Sequence, residues 1–228
     1  MKAVTCTSIL SLCLAVTGFS QSDLYSDLYT TSGAEIIFSF GDIDQTGGGG
    51  SSNLRFAPVI NLQTFVHKDF SNKFGVFSGL GVRNVGYRMD DYRDPSDGIA
   101  YKKAFRSYNL GIPIGFKVGR MDEFYFYAGY EIELAFLYKE KTYDGGDKIN
   151  KTTGWFSSRQ NTWPSSLMVG VQLPYGGNLK FKYYLTEFHN RSYTNSAGIQ
   201  PYANLNSHVF YFSLSFFLFR DLEIYVND

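Results

Sequence analysis

The sequence predicts an all-β protein, an eight-stranded antiparallel up-and-down transmembrane β-barrel. Eight segments alternate apolar with small or polar residues at period two, and none has the i, i+3, i+4 spacing of a helix. Their connections alternate strictly between long and short. Beyond residue 20 no window holds the roughly 18 apolar residues of a transmembrane helix. The longest candidate, 209–219, contains Ser213 and Ser215 and has the length of a tilted spanning strand.

The N-terminus reads as a secretion signal over 1–20. Lys2 is its positive region, 9–16 (ILSLCLAV) its apolar core and Gly18-Phe19-Ser20 its cleavage site. Both cysteines, Cys6 and Cys13, fall inside it, so a mature chain starting at Gln21 has neither disulfides nor thiolate chemistry. Residues 21–32 form an N-terminal periplasmic segment in which SDLY at 22–25 is repeated at 26–29.

The strands follow in order: 33–41, 53–67, 73–88, 104–118, 123–139, 162–173, 178–188 and 207–219, all rich in Val, Ile, Phe, Tyr and Thr. The fourth is the clearest, with Tyr108, Leu110, Ile112, Ile114, Phe116 and Val118 on one parity against Asn109, Gly111, Pro113, Gly115 and Lys117. In the fifth, Phe124, Phe126, Ala128, Tyr130, Ile132, Leu134 and Phe136 oppose Tyr125, Tyr127, Gly129, Glu131, Glu133 and Ala135. The seventh sets Leu179, Phe181, Tyr183 and Leu185 against Lys180, Lys182, Tyr184 and Thr186. The eighth sets Phe210, Phe212, Leu214, Phe216 and Leu218 against Tyr211, Ser213 and Ser215. The first three and the sixth are noisier. Their outward sets are Ile36, Phe38 and Phe40; Phe56, Pro58, Ile60 and Leu62; Phe74, Val76, Leu80 and Val82; and Leu167, Val169, Val171 and Leu173. A short periplasmic tail, 220–228, ends the chain.

Connections 42–52, 89–103, 140–161 and 189–206 are long, whereas 68–72, 119–122 and 174–177 are short. Four long and three short connections in alternation suit eight strands with both chain ends in the periplasm. A soluble barrel has the same period with its apolar face turned inward. The membrane version is favoured by hydrophilic loops between greasy strand faces. It is also favoured by sparse strand charges of both signs on the opposite parity, and by aromatic residues near strand ends (Tyr87, Tyr101, Tyr125, Tyr138, Tyr183, Phe219) in the manner of interface girdles.

With its signal ending Phe19-Ser20-Gln21, the strand YNLGIPIGF at 108–116 and the aromatic last strand 209–219, the chain resembles the small outer-membrane β-barrel family of Bacteroidota, the PorT-like proteins. More distantly it resembles the eight-stranded OmpA and OmpX barrels. The resemblance covers residues 21–219 in pattern and implies a place in the cell outer membrane and an accessory role in protein export or envelope assembly. The chain departs from the family in continuing past the aromatic strand into RDLEIYVND.

Composition narrows the function. The 21 Lys+Arg against 21 Asp+Glu give no field that recruits nucleic acid, and an aromatic share of 18% demands a folded chain. An eight-stranded barrel is filled by its own side chains and has no aqueous channel. The inward parity carries Glu35, Arg55, Arg83, Lys117, Glu131, Glu133, Lys180 and Lys182, expected as a barrel-interior ionic network that holds the barrel shut. A gate or proton-linked site is the sharper use of the same residues.

An enzyme would need a constellation such as His189 or His208 with Ser192, Ser207 and Glu187; the third histidine, His67, lies at the other end. No catalytic, cofactor or metal residue is expected. The stretch at 42–47 (DIDQTG) begins like a calcium loop but places Asn53 where bidentate Glu belongs, and Asp90, Asp91, Asp94 and Asp97 read as a solvated loop. Loop aromatics Tyr92, Tyr143, Trp155, Phe156, Tyr193 and Tyr202 suit protein or glycan contacts, though no glycan-binding motif accompanies them. The expectation is a monomeric, non-enzymatic barrel meeting outer-membrane lipid and lipopolysaccharide, with protein partners reached through its outer loops. A role in export or envelope assembly and a lipid A-modifying enzyme are the alternatives.

Overall fold

The computed structural model describes residues 28–46, 51–121 and 123–220. The expected signal, residues 21–27 with most of the SDLY repeat, and the tail from 221 onward lie outside them. Eleven strands form: β1 (Leu28–Gln45), β2 (Ser51–Asn53), β3 (Arg55–Ala57), β4 (Leu62–Ser71), β5 (Phe74–Arg93), β6 (Ala100–Arg120), β7 (Phe124–Asp144), β8 (Asp147–Trp155), β9 (Ser165–Gln172), β10 (Gly177–Tyr184) and β11 (Leu205–Arg220). The order β11-β10-β9-β7-β6-β5-β4-β1 closes on itself through β1 and β11, giving an antiparallel ring of eight. β2 and β3 continue the second ring strand above β4, and β8 extends β7 as a hairpin. Closure leaves the ring no free edge to recruit another strand.

Three boundaries differ from expectation for local reasons. β1 begins at Leu28, inside the segment expected to precede the barrel, because residues 28–34 pair with β4 from Lys68 back to Leu62. The second ring strand, expected unbroken over 53–67, is interrupted at 58–61, where Ile60 adopts φ 63°. Asn61 fills the gap: its amide donates to Ala57 O at 2.8 Å and its side-chain oxygen accepts the Asn84 N–H at 2.8 Å. Finally, much of the long connections 89–103 and 140–161 is β-ladder. Met89 pairs with Lys103, Tyr92 with Tyr101 and Lys141 with Lys151, and the second hairpin turns through Gly145 and Gly146 at positive φ.

The two faces are inverted relative to a soluble barrel. Ile114, Phe126 and Phe216 are about 60% exposed on the outside, whereas Lys117, Glu131 and Lys182 are fully buried within. Most phenylalanines and tyrosines divide accordingly, with Phe65, Phe77 and Phe105 inside and Tyr130 outside as exceptions. Phe56, Phe74, Phe116, Phe124, Phe126, Phe212 and Phe216 face out, while Tyr87, Tyr92, Tyr125, Tyr127, Tyr138, Tyr184, Tyr202 and Tyr211 are buried. A buried phenol usually takes a polar partner, which the lumen offers to Tyr87, Tyr92, Tyr127, Tyr138, Tyr184 and Tyr202 and a hydrocarbon surface does not.

Tyr87, Tyr125 and Tyr138 are therefore inward residues and not members of a girdle. For Tyr138 the cause is a bulge: Tyr108 pairs with Leu137 but Asn109 pairs with Ala135, so Phe136 is an extra residue and β7 changes face above it. Tyr108 keeps the outward parity but is covered by Arg106 and Lys139.

The lumen is filled in three layers. Phe65, Phe77, Met121, Tyr125, Tyr127 and Met168 pack at the short-turn end, and an aromatic cluster around Tyr87, Phe105, Tyr138, Tyr202 and Tyr211 packs at the long-loop end. An ionic layer lies between them.

Candidate functional site

Six of the eight charges expected on the inward parity meet in that middle layer. β1 contributes Glu35, β5 Arg83, β7 Glu131 and Glu133, and β10 Lys180 and Lys182, all buried. Alternation along β7 and β10 puts each like-charged pair on one face, so carboxylates and ammonium groups from different strands converge. Lys182 Nζ donates to Glu131 at 2.7 Å and also binds Glu133; Lys180 binds Glu35; Arg83 binds Glu131 and lies 3.8 Å from Glu35. Three carboxylates thus face three cations, and charge within the layer balances.

Neutral partners complete it, and the alternation of charges alone does not single them out. Tyr184 donates to Glu133 at 2.9 Å, Asn109 donates to Glu133 at 2.6 Å, and Gln63 accepts from Lys180 at 3.2 Å. Gly81 and Gly111, opposite each other on β5 and β6, leave the space into which Arg83 and Glu131 reach; a Cβ on either would collide with those side chains.

The remaining two of the expected eight stand apart. Lys117 sits toward the short-turn end, ion-paired with Asp69 and donating to Tyr29 Oη at 2.8 Å. Arg55 makes no ion pair among the described residues. Its guanidinium donates to Asn84 O at 3.1 Å and to the Asn84 side chain, stitching β3 to β5 where no ladder joins them.

A second polar cluster caps the long-loop end. Glu140, turned inward by the Phe136 bulge, accepts from Lys103 at 2.9 Å, Tyr138 at 3.0 Å and Tyr202 at 2.8 Å, with Arg159 at 3.7 Å. Lys103 also reaches Asp94 at 3.3 Å and lies over the Tyr92 ring. The Tyr92 hydroxyl donates to Pro201 O at 2.6 Å. These bonds fold the connection 185–204 over the barrel mouth. Tyr92 and Tyr202, expected as exposed loop aromatics, are hence fully buried, whereas Trp155 and Phe156 are exposed.

His189 lies inside this cap. Its ring stacks on Tyr202 at 4.1 Å, meets the edges of Phe105 and Phe188, and shares a 3.0 Å hydrogen bond with the Tyr87 hydroxyl. Burial pushes its imidazole down to about 3, only partly opposed by the Glu140 carboxylate. A histidine whose folded pKa lies below its unfolded value of about 6.5 contributes full stability above that value and loses it as pH falls toward the folded pKa. Between pH 6.5 and 5 the cap is expected to lose stability by up to about 1.4 kcal/mol per pH unit. Hydrogen exchange at residues 186–204 across that range measures it, and His189→Phe should abolish the slope.

The residues considered for catalysis are engaged elsewhere. Ser207 Oγ accepts the His189 backbone N–H at 3.4 Å, not its ring; His208 Nδ1 lies 3.2 Å from Tyr184 O, and its ring stacks on Tyr183. His67 shares a 2.8 Å bond with Thr31 at the other end of the barrel. Among the acidic residues, Asp90 pairs with Lys102, Asp94 with Lys103, and Asp97 accepts from Tyr101. Among the described residues no three His, Cys, Asp or Glu side chains gather in a metal-binding arrangement. The small voids above and below the ionic layer measure about 20 Å³ and 10 Å³, room for one water at most.

No protein-family model matches the chain, and no curated protein matches it. Among solved structures it is similar to Ail, the attachment invasion locus protein of Yersinia pestis, at 10% identity over 86% of this chain and 99% of Ail, TM-score 0.37. It is also similar to Neisserial surface protein A at 12% identity over 85% and 98%, TM-score 0.36. A third is the outer membrane protein OprG from Pseudomonas aeruginosa, at 9% identity over 84% and 96%, TM-score 0.38.

Proposed function

We propose that this chain is a monomeric, non-conducting barrel of the bacterial outer membrane. Its structural or interaction role is exercised from the long-loop end, set outward among lipid and lipopolysaccharide. The observation that carries this reading is the inverted distribution of side chains: a predominantly apolar exterior around a closed ring whose lumen is filled by paired charges and rings. From Leu110 to Val118 on β6 every second side chain is apolar and exposed. At ~3.4 Å per residue and a tilt of ~40° that face is about 21 Å tall, close to the roughly 25 Å apolar band of outer-membrane barrels. A water-soluble monomer does not expose a continuous apolar girdle of this size.

Two measurements test the reading. Protein extracted from membranes should migrate as a compact form on a denaturing gel until heated, and purified protein that stays dispersed without detergent refutes membrane insertion. Planar bilayers containing it should show no conductance steps; reproducible steps refute the sealed lumen. Absence of catalysis is part of the proposal, supported by the buried, tyrosine-bonded ring of His189. A His189→Ala/His208→Ala double variant should leave the lipid A mass profile unchanged. An accessory role in export or envelope assembly is the second reading and rests on the PorT-like resemblance of residues 108–116 and 209–219. Co-purification of an export or assembly protein through the long-loop end or the short-turn end separates it from a general structural role.

A further inference from the structure

We propose that the outward face of β5 to β8, just above the apolar belt, is a binding site for the phosphate groups of an outer-leaflet glycolipid. This rests on the outer-membrane reading given above. Tyr108, Leu137 and Trp155 form one rung across β6, β7 and β8 at the top of the belt. In the next outward rung Arg106 stands directly opposite Lys139, and in the one after it Lys141 stands opposite Lys151, with Arg88 across β5 and β6 from Ala104. Like charges directly opposite each other in an antiparallel ladder are destabilising. Here two such pairs occupy neighbouring rungs.

Among the described residues no carboxylate relieves them. Among the described residues Arg88, Arg106, Lys139, Lys141 and Lys151 make no ion pair, although nearby Lys102 and Lys103 do. Tyr108 borders this patch: its ring lies 4.8 Å from Lys139 Nζ and its hydroxyl is 3.5 Å from Arg106 Nη1. Beside the patch lies a groove of about 300 Å³ lined by Arg88, Lys102, Lys103, Ala104, Tyr143 and Gly146, with the small Ala104 as part of its wall. On β1, one rung above the belt residue Phe40, the exposed residues are instead Asp42 and Asp44, opposite His208 and Asn206. A chain with no net charge thus concentrates unpaired cations on one flank, at the height where lipid phosphates lie.

A phosphate seated between Arg106, Lys139, Lys141 and Lys151 accepts charge-assisted hydrogen bonds from both repelling pairs at once. The position above the belt favours a membrane-anchored phosphate over a soluble polyanion, because the lipid's acyl chains then lie along Leu110, Ile112 and Ile132. Cations at a membrane surface each strengthen such binding several-fold.

The test uses the full mature chain in detergent, with native mass spectrometry reading retained lipid. Phosphorylated lipid A and the same lipid after enzymatic dephosphorylation are the probes. Wild type should retain the phosphorylated form about tenfold or more over the dephosphorylated one. Arg106→Gln/Lys139→Gln/Lys141→Gln/Lys151→Gln should lose that preference, while Lys68→Gln/Lys73→Gln at the short-turn end keeps it. Because the four-site variant removes two repulsions, its lipid-free barrel should melt no lower than wild type, which separates lost binding from lost folding. Equal retention of phosphorylated lipid by wild type and the four-site variant overturns the proposal. So does equal retention of both lipid forms by wild type, or displacement of bound lipid by inorganic phosphate or soluble heparin, which marks a soluble-anion site. A wild-type protein that enters no vesicle of any composition fails differently, overturning the outer-membrane reading itself.

Discussion

Replacing Lys182 with methionine is expected to destabilise the barrel by about 3–5 kcal/mol, the cost of stranding a buried charge by removing its partner. Lys182 is fully buried and binds both Glu131 and Glu133. Methionine keeps most of the side-chain volume, so the loss is electrostatic and not a cavity. The layer is left with Glu35, Glu131 and Glu133 facing only Arg83 and Lys180. Adding Glu131→Gln restores the balance, and the double variant should therefore be more stable than Lys182→Met alone. Urea unfolding in micelles, followed by loss of the compact gel form, measures both. A single variant within about 1 kcal/mol of wild type, or a double variant less stable than the single, contradicts a charge-balanced bolt.

Strand alternation made the ring and most of this layer legible. Where both parities are pure, as at 108–118 and 124–136, period two alone separates lipid-facing from lumen-facing side chains. Glu35, Arg83, Glu131, Glu133, Lys180 and Lys182 fall on the lumen side for that reason. The cap was not legible, because a single bulge at Phe136 reverses the parity on which Glu140 and Tyr138 are read, and nothing in the local sequence marks it. Nor can period two pair His189 with Tyr87, a contact across 102 residues. Arg55 lay on the inward parity, yet its partner is neutral, because the break at 58–61 creates a local need for donors between β3 and β5. One available signal was a partial bias of tyrosine against phenylalanine: Tyr125, Tyr127, Tyr184 and Tyr211 share the parity of the charges and Phe124, Phe126, Phe210 and Phe212 the other, although Tyr108, Tyr130 and Tyr183 fall with the apolar set.

Lysine at Ile114 is expected to cost about 2–4 kcal/mol and to reduce the folded fraction recovered in lipid, because Ile114 lies at the middle of the apolar face of β6. The same substitution at Val118, near the short-turn rim, should cost only about 0–1 kcal/mol, since a lysine there can extend its ammonium to the headgroups. Chain position does not explain such a difference, as both residues are equally regular members of one strand, and both are about half or more exposed. In a water-soluble barrel the outward lysines would be solvated at either position, and both substitutions would be near neutral. A depth-dependent penalty, measured by folding into vesicles against urea, is thus the signature of hydrocarbon around β6. Equal, small effects at Ile114 and Val118 mean that water surrounds it. Lys117 sharpens the comparison: a lysine already sits one residue from Val118, tolerated because alternation turns it inward to Asp69. The penalty at Ile114 therefore belongs to the face and depth of the side chain, not to lysine in this strand.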